Sequence, residues 1–248
     1  MSTGTAHVVV AAPAKLTLSL RITGVRDDGY HLIDAEMVTL EWADTLHIAP
    51  DGLGLTADGP FAAGMPLDDS NLVAKALRLA EREAAVHLHK VIPHGGGLGG
   101  GSSDAAAVLR WAGYTDIAGA ARLGADVSFC LVGGRARVRG IGEVVDPLPF
   151  EALDITLIIP PLAVSTPAAY RAWDELGMPT AAGPNDLEPA ALVVQPTLGR
   201  WRDRIREAAG VAPTLAGSGA TWFLRGHHVL GEALPEAQVV LTRTDRPR

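Results

Sequence analysis

The sequence predicts an α+β protein of two domains. The first is an N-terminal mixed β/α domain carrying a glycine-rich loop, and the second a C-terminal ferredoxin-like domain with inserted helices. Three observations carry this. The chain opens on strand patterns and turns helical only near residue 71. Six glycines fall in the seven positions 95–101, between a strand pattern and a helix pattern. Beyond residue 150, setting the middle helices aside leaves the order β-α-β-β-α-β, the ferredoxin-like motif. Pro147-Leu148-Pro149 marks the boundary, which places the domains at 1–150 and 151–248.

The elements follow in order. The β-branched run from His7 to Ala12 reads as a strand. Leu16, Leu18, Leu20 and Ile22 alternate with polar residues, the period of a half-buried strand. Asp27-Asp28-Gly29 is a turn, and residues 36–41 and 45–48 are two further strands separated at Ala43-Asp44. Residues 51–66 are loops around one short strand. A helix spans 71–83, with Leu72, Ala76, Leu79 and Ala80 on one face and Ser70 or Asn71 as its cap. Residues 86–92 return to a strand, and after the glycines Ser102 or Ser103 is expected to cap a helix running to about Trp111. Residues 113–125 read as a turn and a short alanine-rich helix, followed by an apolar strand from Val127. In the second domain the expected strands are 155–159, 214–216, 221–225 and 238–242. The expected helices are 167–176, 186–194, 198–209 and a short one from His228.

Bulk composition narrows the function classes. Apolar residues make up 48% and charged residues 20%, which fits a globular core and excludes a disordered chain. Lys plus Arg is 21 against 28 for Asp plus Glu, and a net charge of −7 argues against a nucleic-acid partner. The alternating Arg200, Arg202, Arg204 and Arg206 read as the solvated side of a helix. The single cysteine, Cys130, admits no intrachain disulfide and lies in an apolar run, which fits a cytoplasmic setting. No signal peptide and no membrane-length apolar run are seen, so no membrane partner is expected. A monomer or weak homodimer acting on a small molecule is the expected form.

The chemistry lies in Pro93-His94-Gly95-Gly96-Gly97-Leu98-Gly99-Gly100-Gly101-Ser102-Ser103-Asp104. Glycine carries an entropic cost, so this density is a poor way to make a mere turn. It does let successive N–H groups converge on an anion, and a helix starting just behind adds its own free N–H groups and positive end. Strand, glycine loop and helix therefore form a phosphate cradle, in which Ser102 and Ser103 could bind phosphate or help to hold Mg²⁺. A Walker loop is excluded, because Ser102 stands where its lysine should follow Gly96 and Gly101. Gly95, Gly97 and Gly100 match a dinucleotide fingerprint, but no parallel strand ending in an acid follows. On this reading, valine at Gly97 or Gly99 should abolish nucleotide binding and leave the fold intact.

The segment Pro93–Ala106 resembles the phosphate loop of the superfamily that includes galactokinase, homoserine kinase, mevalonate kinase and phosphomevalonate kinase. Four further segments carry the resemblance along nearly the whole chain in the family's order: Ala12–Leu16 with Asp28–Leu32, Leu123–Val127, Asn185–Glu188 and Leu215–Thr221. Within that superfamily they are most similar to the 4-diphosphocytidyl-2-C-methyl-D-erythritol kinase family. The resemblance implies a two-domain small-molecule kinase fold. It implies ATP and Mg²⁺ as cofactors and transfer of phosphate to the 2-hydroxyl of a diphosphocytidyl sugar alcohol in isoprenoid precursor synthesis. The alternative is another kinase of the superfamily, of sugar, homoserine or mevalonate type.

The resemblance also assigns residues. Asp126 would accept the hydroxyl proton, and Lys15 would lie beside it and beside the acceptor hydroxyl. An ammonium there can polarise that hydroxyl. Residues 93–103 would hold the nucleotide. Tyr30 and His31 would clamp the cytosine ring, and Thr17 and Asp126 would complete the substrate contacts. Thr17 stands where the family usually has asparagine, Ser128 and Cys130 replace a usual proline and a common phenylalanine, and His94 stands where methionine or proline is frequent. The 111–122 segment is shorter than the resemblance leads one to expect.

Overall fold

Two long strands organise the first half of the computed structural model, which describes residues 7–247. β1 (Val8–Val25) and β2 (His31–Ala49) form one antiparallel hairpin, with Val8 opposite Ile48 and Val25 opposite His31. The four shorter strands expected here are these two. The ladder passes through Ala43-Asp44 without breaking, and its irregularities lie instead in β1, at Pro13/Lys15, Thr17/Ser19 and Ile22/Gly24. Proline at position 13 has no N–H for the ladder, which accounts for the first.

β2 also pairs along its other edge. Its C-terminal part takes β4 (Ala85–His89), and β4 pairs in parallel with β3 (Gly54–Asp58). Its N-terminal part takes β5 (Arg135–Gly140), which continues to β6 (Val144–Leu148). β5 was not among the expected strands, although Arg135-Ala136-Arg137-Val138-Arg139 alternates in plain view. Arg137 and Arg135 reach across to Asp34 and Glu36 on β2, so the polar face is an ion-paired surface.

Helices α1 (Leu72–Leu79), α2 (Gly100–Trp111) and α4 (Ala125–Val132) pack on this sheet. The Asn71 side chain caps α1 by accepting from Val73 N–H at 2.8 Å. α2 buries Ala105–Leu109, whose small residues let it lie close to β1 and α1. α3 (Ile117–Ala120) is the short alanine-rich helix. Residues 125–132 were expected as a strand from Val127 and are a helix instead. An apolar run bounded by glycines reads the same for a buried strand and a buried helix. Here Gly124 and Gly133 set its ends, and Val127, Ser128, Phe129 and Cys130 are buried.

The second half has its own four-stranded sheet, in the order β10-β7-β9-β8, all antiparallel: β7 (Asp154–Ile159), β8 (Thr214–Leu215), β9 (Trp222–Arg225) and β10 (Gln238–Arg243). Between β7 and β8 come α5 (Thr166–Glu175), capped by Ser165, then α6 (Glu188–Val194) and α7 (Thr197–Ala209). The short helix expected from His228 is absent; residues 228–237 form turns, with one helical-type bond from Leu234 N–H to Leu230 C=O. Gly231 and Pro235 leave that segment too few helix formers to propagate a turn. A buried cluster including Leu16, Leu18, Val38, Leu98, Leu157 and Phe223 packs the two sheets' elements together.

Candidate active site

The glycine loop is gripped from both halves of the chain. Leu98, its one apolar residue, is fully buried, and its carbonyl accepts Lys15 N–H at 3.0 Å. The carbonyls of Gly95 and Gly96 accept Ala220 N–H and Thr221 N–H at 3.1 and 3.2 Å. Two of the glycines are needed for contact with protein. Gly97 has φ +77°, and a Cβ there would lie 2.0 Å from Ala216 O. Gly99 has φ +67°, and a Cβ there would lie 2.7 Å from the Lys15 stem. The expectation that valine at these positions spares the fold is therefore corrected: both are packing positions.

α2 begins earlier than the serines. Its N-cap is Gly99 in the left-handed conformation, with no side chain bonded to the helix end and no acid in the first turn. The expected serine cap gives way because glycine can turn the chain sharply where serine cannot. Ser103 is consequently buried inside, donating to Pro13 O at 2.6 Å with Cys130 Sγ at 3.3 Å from its hydroxyl. Ser102 stays on the cavity side with Gly99, Gly100 and Gly101. Pro93 and His94 form the loop's entry, and His94 is exposed.

Lys15 and Asp126 meet across the floor of that cavity. Lys15 is buried, its Nζ lies 3.2 Å from Asp126 Oδ2, and it donates to Thr17 Oγ1 at 3.1 Å. The irregularity in β1 beside Pro13 and the stem space at Gly99 place the lysine. Asp126 lies in the first turn of α4, and its side chain keeps 30% exposure, so one face remains open to a ligand. Residues 15, 17, 126 and the glycine loop thus line one cavity of about 330 Å³.

A second cavity, of about 840 Å³, opens beside it and shares His31, Ala125, Ile141, Thr166 and Tyr170 with the first. His31 is held on three sides. Its Nε2 lies 2.8 Å from Asp174 Oδ1, its ring centroid 4.6 Å from that of Tyr170, and Trp173 meets it edge-on at 5.6 Å. Tyr30 stands on the rim with 59% exposure. Both cavities draw on both halves of the chain, so the substrate space is not confined to residues 1–150.

Several supports had no role assigned from sequence alone. Asp174 and Tyr170 carry no motif of their own; their place on α5 facing His31 appears only in the fold. Asn185 donates to Leu215 O and Gly217 O at 2.9 and 2.7 Å, which fixes the 215–219 turn over Lys15. Asp186 takes Arg21 Nη1 at 2.6 Å and Ile22 N–H at 3.0 Å. Ser128, in place of the usual proline, donates to Ile117 O at 2.9 Å and ties α4 to α3. Burial pushes the Cys130 thiol up to about 12, so it serves as packing.

A buried ionic cluster was also missed. Lys90, fully buried at the end of β4, contacts Asp44 Oδ2 on β2 and Asp104 Oδ2 on α2. Burial pushes the Asp104 carboxyl up from 3.8 to about 7, against the pull of Lys90. A raised carboxyl holds its proton more tightly in the folded chain than in the unfolded one. Its contribution to stability is therefore complete below pH ~4 and is lost as pH rises toward ~7. Asp104→Asn is expected to flatten that decline, read as the urea midpoint against pH. An unchanged slope would remove Asp104 as its source.

A family model for the N-terminal domain of GHMP kinases matches residues 71–134, which span α1, the glycine loop, α2 and α4. The fold and the site define a small-molecule kinase of this class. A crystal structure of a homoserine kinase from Cytophaga hutchinsonii shares the fold, with a TM-score of 0.67 at 18% identity, covering 100% of this chain and 96% of that one. Closer similarity is to 4-diphosphocytidyl-2-C-methyl-D-erythritol kinases. That of Paracoccus denitrificans is 40% identical over 236 residues, covering 88% of this chain and 86% of the relative. That of Jannaschia sp. is 41% identical over 239 residues, covering 86% of each. A crystal structure of 4-(cytidine 5'-diphospho)-2C-methyl-D-erythritol kinase superposes with a TM-score of 0.77 at 32% identity, covering 96% of this chain and 100% of that one. The chain belongs to the 4-diphosphocytidyl-2-C-methyl-D-erythritol kinase family.

Proposed function

We propose that this protein phosphorylates the 2-hydroxyl of 4-diphosphocytidyl-2-C-methyl-D-erythritol with ATP, in the methylerythritol phosphate route to isoprenoid precursors. The observation that carries the reading is the Lys15–Asp126 pair, 3.2 Å apart, where the glycine-loop cavity meets the cavity around His31. A polyphosphate fits the loop for three reasons: the α2 end is uncapped, its first turn holds no acid, and the wall beside it is glycine and Ser102. No group of three or more His, Cys, Asp or Glu suited to a metal occurs among the described residues. Mg²⁺ would be held by the nucleotide's own phosphate oxygens, with the Ser102 hydroxyl as a protein ligand. Bound there, it supplies neutralisation of charge on the transferring group.

The chain's own residues do the rest. The N–H groups of Gly100, Gly101 and Ser102 bind phosphate oxygens. Asp126 Oδ1 or Oδ2 takes the proton of the acceptor hydroxyl, and Lys15 orients that hydroxyl and pairs with the carboxylate. Thr17 holds the Lys15 ammonium in place. Residues 1–150 form the nucleotide-binding domain on this reading. The β10-β7-β9-β8 order supports a ferredoxin-like second domain, with α5–α7 in its first crossover and turns in place of the second helix.

The cytosine ring would be read by His31, steadied by Asp174 and Tyr170, with Tyr30 stacking from the rim. Tyr30→Ala is expected to raise KM for the cytidyl substrate by about 5- to 150-fold, the worth of one stacking partner at ~1–3 kcal/mol. KM for ATP should change little. His31→Ala should show the same split. Equal effects on both substrates in both variants would mean that these rings are structural and would count against the cytidyl reading.

A further inference from the structure

The glycine loop has a buried fixture behind it that no contact with substrate explains. Asp44 Oδ1 accepts two consecutive N–H groups where the chain enters the loop, Val91 at 2.6 Å and Ile92 at 2.9 Å. Its other oxygen meets the Lys90 ammonium, and Lys90 also meets Asp104 Oδ2 on α2, where the chain leaves the loop. A Cβ on Gly100 would lie 3.5 Å from Asp44 Oδ2, so the cluster sits directly against the loop's inner surface. All three side chains are buried, and none lines either cavity.

A hydrophobic core does not need this. Two carboxylates and one ammonium are costly to strip of water, and well-packed apolar residues are often as stable in their place. Asp104 Oδ1 has no hydrogen-bond partner, so even the polar accounting is incomplete. What the cluster does have is direction. A hydrogen-bonded ionic chain runs from β2 to the loop entry, through Lys90, to the first turns of α2. Apolar packing would hold these elements together without fixing their register, because it is non-directional.

We propose that Asp44, Lys90 and Asp104 form a buried clamp that joins the two ends of the glycine loop and sets its position for the nucleotide's phosphates. They are positioning residues, acting through the backbone N–H groups of the loop and of α2. The inference rests on the reading that this loop binds ATP phosphates.

The test compares wild type with Lys90→Met/Asp104→Asn, which removes the Lys90 ammonium and the Asp104 carboxyl together and leaves the Asp44 bonds to Val91 and Ile92. Thermal melting reports the fold, and calorimetric titration reports affinity for a non-hydrolysable ATP analogue and, separately, for cytidine diphosphate. The clamp predicts a folded variant whose affinity for the ATP analogue falls by at least about tenfold, or ~1.4 kcal/mol. Its affinity for cytidine diphosphate should stay within about twofold of wild type. Unchanged ATP-analogue affinity, or equal losses for both ligands, would overturn the clamp. If the double variant does not fold, Asp44→Asn, which keeps the side chain's shape, is judged by the same two affinities. A wild-type protein that binds no ATP analogue would instead overturn the reading of the loop itself.

Discussion

Asp126→Asn is expected to lower turnover by about 10²–10⁴-fold, the usual worth of a positioned proton transfer, with ATP affinity close to wild type. The asparagine keeps the shape of the side chain and can still accept a hydrogen bond from Lys15. It removes the group proposed to receive the hydroxyl proton. The nucleotide contacts proposed above lie on α2 and the loop, which this change does not touch. Lys15→Met should also cut turnover, by withdrawing the ammonium that sits 3.2 Å from Asp126 and holds the acceptor in line. Because the two act as one unit, the double variant should lose less than the product of the single losses. Turnover is measured at saturating substrates, with single-turnover quench to establish that chemistry limits it. Multiplicative losses would refute the coupling. Near-normal single-turnover rates in Asp126→Asn would leave positioning and charge neutralisation as the main catalytic devices, since phosphoryl transfer makes little demand on a base before its transition state.

Valine at Gly97 should disable the protein by a different route. Its Cβ would fall 2.0 Å from Ala216 O and 3.1 Å from Gly219 O, both backbone atoms that cannot swing aside. The φ of +77° adds a conformational penalty of about 1–2 kcal/mol for a residue with a side chain, and overpacking adds about 1–3 kcal/mol. The loop and the 215–219 turn would be forced apart, opening the site over Lys15. The expected result is a lower melting midpoint together with loss of both nucleotide and cytidyl binding. Valine at Gly101 is the contrasting variant. Gly101 lies on the first turn of α2, and its Cβ would meet only Leu72 Cδ1 of α1, at 3.6 Å. There the fold should persist and nucleotide affinity alone should fall. A Gly97→Val protein that melts like wild type and binds the cytidyl ligand normally would contradict the packing account.

What the sequence made legible was the chemistry written in contiguous residues. The glycine run, the Gly124-Ala125-Asp126 step and the Pro13-Ala14-Lys15 step are each local, and the fold brings them to one cavity. Secondary structure was legible where period and cap agreed, as at Asn71 before α1. It was ambiguous where they did not. Val127–Val132 is apolar apart from Ser128, so no period separates strand from helix there. The serines at 102 and 103 looked like caps because serine often is one, yet left-handed Gly99 starts the helix before them. Least legible were partners far apart in the chain. Nothing local marks Asp44 as the acceptor for Val91 and Ile92, or Asp174 as the support of His31. A lysine at the end of the Val86–Lys90 alternation looks like a surface residue until two aspartates are seen to enclose it.

The most direct measurement is a coupled assay of ADP release from ATP with four acceptors in parallel: 4-diphosphocytidyl-2-C-methyl-D-erythritol, homoserine, mevalonate and galactose. Phosphate placement on the product would be read by mass spectrometry and NMR. The account predicts rapid turnover with the diphosphocytidyl alcohol alone, phosphate on its 2-hydroxyl, and loss of that turnover in Asp126→Asn. Faster turnover with any of the other three alcohols, or no turnover with the diphosphocytidyl alcohol in a protein that binds ATP, would contradict it.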